Sequence, residues 1–124
     1  LNDETRHMFN KDAFTKMKPS AYVVNTARGG VISTEDLTWA LESEQIQGAG
    51  IDVYEQEPPD ADLRLFDLNR ATLSAHLGWS SLEAGWTIRY KIADDIIACI
   101  NGDKPCSTVN TEIDTLLEGN YREV

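Results

Sequence analysis

Positive charge is scarce in this 124-residue sequence: 11 Lys and Arg stand against 21 Asp and Glu, a formal charge of −10. The basic residues occur scattered rather than as a stripe, and an acidic chain repels phosphate backbones, so nucleic acid is not an expected partner. Long apolar runs are also missing. Nothing approaches the roughly 18 consecutive apolar residues that mark a membrane span, and Leu1-Asn2-Asp3-Glu4 has neither half of a secretory signal, so no membrane partner is expected. Cysteine is sparse. Cys99 and Cys106 have no ligand spacing with His7 or His76, which argues against a metal site and against a disulfide scaffold, and a reducing, cytoplasmic setting fits best. A Gly-x-Ser-x-Gly elbow is absent around Ser74, Ser80 and Ser81, which disfavours triad hydrolysis. What remains, with 41% apolar residues, is enough for one core.

The elements alternate. Asn10 before Lys11–Met17 predicts a short helix with an Asn cap, stopped ahead of Pro19. Ala21-Tyr22-Val23-Val24-Asn25 is a buried strand by its β-branched and aromatic content. Ser33-Thr34-Glu35-Asp36 matches a capping pattern for a helix with Leu37, Ala40 and Leu41 on one face, and Gly48 is expected just past its end. Ala49–Tyr54 is a second strand and Thr72–Ala75 a third, separated by a loop from Glu55 to Asp67. These connections are too long for hairpins, which favours a parallel sheet and an α/β fold. Ile88, Ile92, Ile96, Cys99 and Ile100 then mark a helix from about Ser81 to Asn101, with Gly102 as a left-handed cap. Residues 1–102 are expected to form one domain and 103–124 a tail.

In an open parallel sheet, ligands bind beyond the carboxyl ends of the strands. The three ends carry Asn25-Thr26-Ala27-Arg28, Asp52 with Glu57 shortly after, and Ala75-His76, so Arg28, Asp52, Glu57 and His76 converge on one edge. Taken singly, Arg28 is a surface turn residue, Gly29-Gly30 a positive-φ turn, and Asp52, Glu57 and His76 solvated or structural groups. Together they make chemical sense. The Arg28 fork matches a carboxylate bidentately. His76 carries and releases a proton near neutrality, and Glu57 is placed to fix its tautomer.

Asn25-Thr26-Ala27-Arg28-Gly29-Gly30, Gly48 through Pro58 and Ala75-His76-Leu77-Gly78, in this order and spacing, resemble the carboxyl-terminal half of the nucleotide-binding domain of D-isomer-specific 2-hydroxyacid dehydrogenases. That family includes phosphoglycerate dehydrogenase, D-lactate dehydrogenase and glyoxylate/hydroxypyruvate reductase. The resemblance implies half of a Rossmann-type doubly wound parallel sheet, followed by a long helix and a tail. It implies NAD or NADP as cofactor, a small 2-keto or 2-hydroxy acid as substrate and a homodimer for the complete protein. Arg28 would bind the substrate carboxylate, and His76, paired with Glu57, would protonate the carbonyl oxygen as the nicotinamide delivers hydride. Asn25, Thr26 and Ala27 would line the cofactor, Asp52 would face the nicotinamide carboxamide, and Gly78 would allow close approach. Glu57, where the formate dehydrogenase branch has Gln, fits proton transfer. Trp79 is either substrate-adjacent or a packing residue; it resembles the tryptophan of some hydroxypyruvate reductases and of corepressor relatives.

The Gly-x-Gly-x-x-Gly cradle and the acidic ribose reader of this domain type are not in the sequence, and Gly48-Ala49-Gly50 opens no helix. The chain is therefore expected to be a fragment, inactive alone, of an NAD(P)-dependent dehydrogenase. Two other readings stay open: a dinucleotide-sensing corepressor of the same fold, and an autonomous interaction module using the acidic loop 55–67 and the long helix.

Overall fold

Each of the three α-helices begins where a side chain satisfies the backbone. A computed structural model describes residues 1–110, and the part of the expected tail from residue 111 onward lies outside them. Helix α1 (Lys11–Thr15) starts at Asn10, whose side-chain oxygen accepts the Ala13 N–H at 3.1 Å. Strand β1 (Tyr22–Asn25) follows, then a 3₁₀ turn at Gly29–Val31. Helix α2 (Thr34–Glu42) is capped by Ser33, whose hydroxyl accepts the Asp36 N–H at 3.3 Å. Strands β2 (Gly48–Ile51) and β3 (Ala71–Leu73) complete the sheet. Helix α3 (Leu82–Asn101) opens at Ser81, which accepts the Ala84 N–H, and closes at Gly102 with φ 78°.

Two expectations change. Helix α2 stops at Glu42 with Ser43 as its cap and Glu44 at φ 56°, so Gly48 does not end the helix but opens β2. A Cβ at Gly48 would lie 3.0 Å from both the Arg70 carbonyl oxygen and the Tyr22 ring, which is why glycine stands there. The acidic loop is not featureless either. It contains a 3₁₀ turn at Arg64–Asp67, where Arg64 bonds Glu42 at 2.8 Å and Asp67 at 3.0 Å above the buried Leu65.

The strands pair in parallel in the order β1-β2-β3, with Val23 opposite Ala49 and Ile51 opposite Leu73. The chain divides into two compact units, Leu1–Gly78 and the part from Trp79 onward. In the first unit, Phe14, Val23, Ile32, Leu37, Ala40, Leu41, Ile46, Ala49, Ile51 and Leu65 form one buried cluster, so α1 and α2 cover one face of the sheet. Tyr22 and Val24, on the opposite face of β1, are 71% and 72% exposed. The second unit is built on α3, none of whose residues is buried.

Candidate active site

Strand polarity sends all three carboxyl ends to one edge, and local hydrogen bonds then shape what each presents. After β1, the buried Asn25 side chain folds back: its amide donates to the Arg28 carbonyl at 3.0 Å and its oxygen accepts the Ala27 N–H at 3.1 Å. Asn25 therefore builds the turn that carries Thr26, Ala27 and Arg28, all three of them exposed. Arg28 donates to the Ala27 carbonyl at 2.7 Å and has no salt bridge among the described residues, so most of its fork stays open to an anion.

The glycines after Arg28 were expected to serve a positive-φ turn. Gly102 is the one glycine with positive φ among the described residues, and the reason for Gly29 is proximity instead. A Cβ on Gly29 would lie 1.9 Å from the carbonyl carbon and oxygen of Tyr54. The backbone after Arg28 thus rests on the backbone leaving β2.

That segment carries Glu57. Its Oε1 accepts the Tyr54 N–H at 3.0 Å, and its Oε2 lies 2.8 Å from His76 Nδ1. The Tyr54 amide first, then the His76 ring, hold the Glu57 carboxyl below the usual carboxylate range, with a smaller contribution from the Arg28 charge. Glu57 is therefore ionised near neutrality, and it directs the Nδ1 proton so that Nε2 is the free nitrogen. Among the described residues His76 Nε2 has no hydrogen-bond partner.

His76 itself sits at φ 55°, unusual for a residue with a Cβ and costing roughly 1–2 kcal/mol. Asp52 offsets that cost. Its backbone carbonyl accepts the His76 N–H at 2.7 Å, and its carboxylate accepts the Leu77 and Gly78 N–H groups, each at 2.8 Å, and the Ser74 hydroxyl. Only 5% exposed, Asp52 is held below the ordinary aspartate value by the Ser74 hydroxyl foremost, then by the Gly78 and Leu77 amides. Gly78 packs closely beside it: a Cβ there would lie 3.0 Å from Asp52 Oδ2 and 3.7 Å from the Thr26 Cβ. Thr26, Asp52 and Gly78 thus lie side by side at the strand edge. Trp79, exposed, belongs to the second unit.

A cavity of about 500 Å³ opens beside the dyad, lined mainly by Tyr54, Pro58, Pro59, Phe66, Leu73 and His76. Burial, then the charges of Asp52 and Glu57, push the Tyr54 phenol up, so it stays neutral and donates to the Ser74 carbonyl at 3.0 Å.

Several participants were not evident from spacing. By pattern alone Ser74 reads as a candidate nucleophile and Tyr54 as a strand residue. His7 reads as a candidate metal ligand, yet its N–H donates to the Gly30 carbonyl at 2.8 Å while its ring Nε2 lies 2.8 Å from Glu55 Oε2. Glu55 Oε1 accepts the Thr34 N–H at 2.6 Å at the start of α2. Burial alone would raise the Glu55 carboxyl, but hydrogen bonds from Thr34 and His7 outweigh it and leave it lowered. No spacing in the sequence points to this pair, because His7 and Glu55 stand 48 residues apart.

Residues 1–78 match the family description D-isomer specific 2-hydroxyacid dehydrogenase, NAD binding domain. A glyoxylate reductase of Thermofilum pendens is 38% identical over 113 residues, covering 91% of this chain and 33% of that protein. The crystal structure of a glyoxylate reductase from Paecilomyes thermophila superposes with a TM-score of 0.82 at 32% identity, over 90% of this chain and 34% of the other. D-lactate dehydrogenase with NAD+ from Lactobacillus jensenii gives 0.79 at 25% identity, over 89% of this chain and 37% of the other. The chain spans about a third of the length of the curated relatives it matches.

Proposed function

From the premise that this chain belongs to the D-isomer specific 2-hydroxyacid dehydrogenases and carries part of their NAD-binding domain, we propose that it supplies the acid/base and carboxylate-binding groups of an NAD(P)H-dependent 2-keto acid reductase. Glyoxylate and hydroxypyruvate head the substrate candidates, because relatives named glyoxylate reductase and glyoxylate/hydroxypyruvate reductase share 35–41% of its residues. The observation that carries the reading is the pair His76 Nδ1 and Glu57 Oε2 at 2.8 Å, which leaves Nε2 free at the strand edge where Arg28 is also unpaired.

Thr26, Asp52 and Gly78 would hold the nicotinamide end of the dinucleotide, which when bound would supply a hydride to the carbonyl carbon. Arg28 holds the substrate carboxylate. His76 Nε2–H gives its proton to the carbonyl oxygen, so that the keto acid becomes the hydroxy acid, and the ionised Glu57 stabilises the imidazolium before transfer. In the oxidation direction neutral His76 takes the hydroxyl proton. The 124 residues hold no Gly-x-Gly-x-x-Gly cradle for the dinucleotide phosphates, so this polypeptide alone is expected to turn over no keto acid. Cys99 and Cys106, both free, suit a reducing cytoplasm. No helix among the described residues is long and apolar enough to cross a membrane. We place the completed protein as a homodimer acting on small acids rather than on nucleic acid.

The test is a polypeptide completed to the relatives' length, assayed by loss of NADH absorbance with glyoxylate, hydroxypyruvate and pyruvate. Turnover is expected. His76→Ala should lower kcat by roughly 10²–10⁴-fold, the usual worth of general acid/base assistance. Arg28→Ala should act mainly on KM, by about 10–100-fold for a lost charged hydrogen bond. No turnover of any 2-keto acid would overturn the reading.

A further inference from the structure

Ser74 is tied at three points without taking part in the proton transfer. Its N–H donates to the Ile51 carbonyl at 2.9 Å, its carbonyl accepts the Tyr54 phenol at 3.0 Å, and its hydroxyl donates to Asp52 Oδ1. Asp52 Oδ1 also accepts the Leu77 N–H, and Oδ2 accepts the Gly78 N–H, both at 2.8 Å. Between Ser74 and Leu77 the chain makes the left-handed step at His76, φ 55°. The two ends of that step are therefore gripped by a single carboxylate, and the step is one that a residue with a Cβ rarely takes unless its surroundings impose it.

The carboxylate grips best while it is ionised and supplied with all its donors, because a buried charged acceptor that loses one is left under-satisfied and less firmly placed. The Ser74 hydroxyl is the only side-chain donor Asp52 has among the described residues. We propose that Ser74 is a positioning residue for His76: through Asp52 its hydroxyl locks the 75–78 turn that brings the imidazole against Glu57. The catalytic consequence rests on the acid/base role of His76, whereas the lock itself does not. Tyr54 holds the Ser74 carbonyl at 3.0 Å, which fixes the backbone that carries the hydroxyl.

Amide hydrogen exchange in the 124-residue chain reads the lock directly. Ser74→Ala should speed exchange at Leu77 and Gly78 by about tenfold, the loss of one hydrogen bond to a charged group, while the core amides of Ile51 and Val53 keep their rates. Ser74→Thr, which retains the hydroxyl, should restore slow exchange. If Ser74→Ala does not fold, Ser74→Cys keeps the volume with a weak donor and serves the same comparison. In a polypeptide completed to the relatives' length, Ser74→Ala should lower kcat by about tenfold with KM for the keto acid nearly unchanged, and Ser74→Thr should recover kcat. Unchanged exchange at Leu77 and Gly78 overturns the proposal whatever the kinetics show. Faster exchange with full kcat also overturns it, because the turn would then be loosened without harm to His76. If the wild-type completed polypeptide reduces no keto acid, the functional reading fails, and the exchange result still decides whether the lock exists.

Discussion

At the residue scale, the least replaceable position near the site has no side chain. A Cβ on Gly29 would overlap the Tyr54 carbonyl at 1.9 Å, and both partners are backbone, so neither can rotate away. Gly29→Ala should destabilise the chain by about 1–3 kcal/mol, the common range for overpacking, read from the urea midpoint. It should also displace Arg28, raising KM in a completed polypeptide before it alters the His76–Glu57 pair. Glu55 is a second case. Its carboxyl is lowered in the folded chain, so the stability it contributes is present above the ordinary glutamate range and is lost as pH falls through the lowered value. Because the His7–Glu55 pair is partly exposed, Glu55→Gln should cost no more than about 1 kcal/mol at pH 7. The cost should shrink as pH falls below the ordinary glutamate range, a trend that urea titrations at pH 7 and in acid would follow.

At the element scale, the helix starts follow one physical rule, a short polar side chain meeting an orphan N–H. Ser33, Ser81 and Asn10 all do so; the caps at Asn10 and Ser33 were legible in the sequence, whereas Ser81 was legible only as the neighbourhood where α3 begins. Ser81→Ala should cost about 1 kcal/mol of α3 stability, seen as reduced helicity by circular dichroism on warming. Helix α2 has a further acceptor, since Glu55 takes the Thr34 N–H as Ser33 takes that of Asp36. Ser33→Ala combined with Glu55→Gln should therefore lose more than either change alone. The end of α2 was not legible. Helical spacing continues through Leu41, but the turn at Glu44 is set by where β2 must begin, and that depends on Tyr22 and Arg70 from other elements.

For the molecule as a whole, the carboxylates that organise the strand edge set its response to acid. Asp52, Glu55 and Glu57 are all lowered in the folded state, so protonating them costs the fold more than it costs the unfolded chain. Stability should be full above about pH 5 and fall as pH drops below about 4, with Asp52→Asn flattening that fall in a pH series of thermal melts. The buried cluster of the first unit carries the remaining stability. Leu37→Ala, at a side chain only 1% exposed, should cost about 2–5 kcal/mol by urea titration. A parallel sheet ordinarily has cover on both faces. Within Leu1–Gly78 helices cover only one, and Tyr22 and Val24 stand exposed on the other.

The sequence by itself determined the order of elements, the helix caps at Asn10 and Ser33, the parallel sheet and the edge where Arg28, Asp52, Glu57 and His76 gather, because each follows from local propensity or from strand polarity. Tertiary structure alone decided how those groups are held. Ser74 meets Asp52 across 22 residues, His7 meets Glu55 across 48, and Gly29 lies against Tyr54 from another strand end. No periodicity encodes such pairs. They exist only once burial of Phe14, Leu37 and Ile51 has drawn the strands into register, since loop closure must come before long-range hydrogen bonds can form.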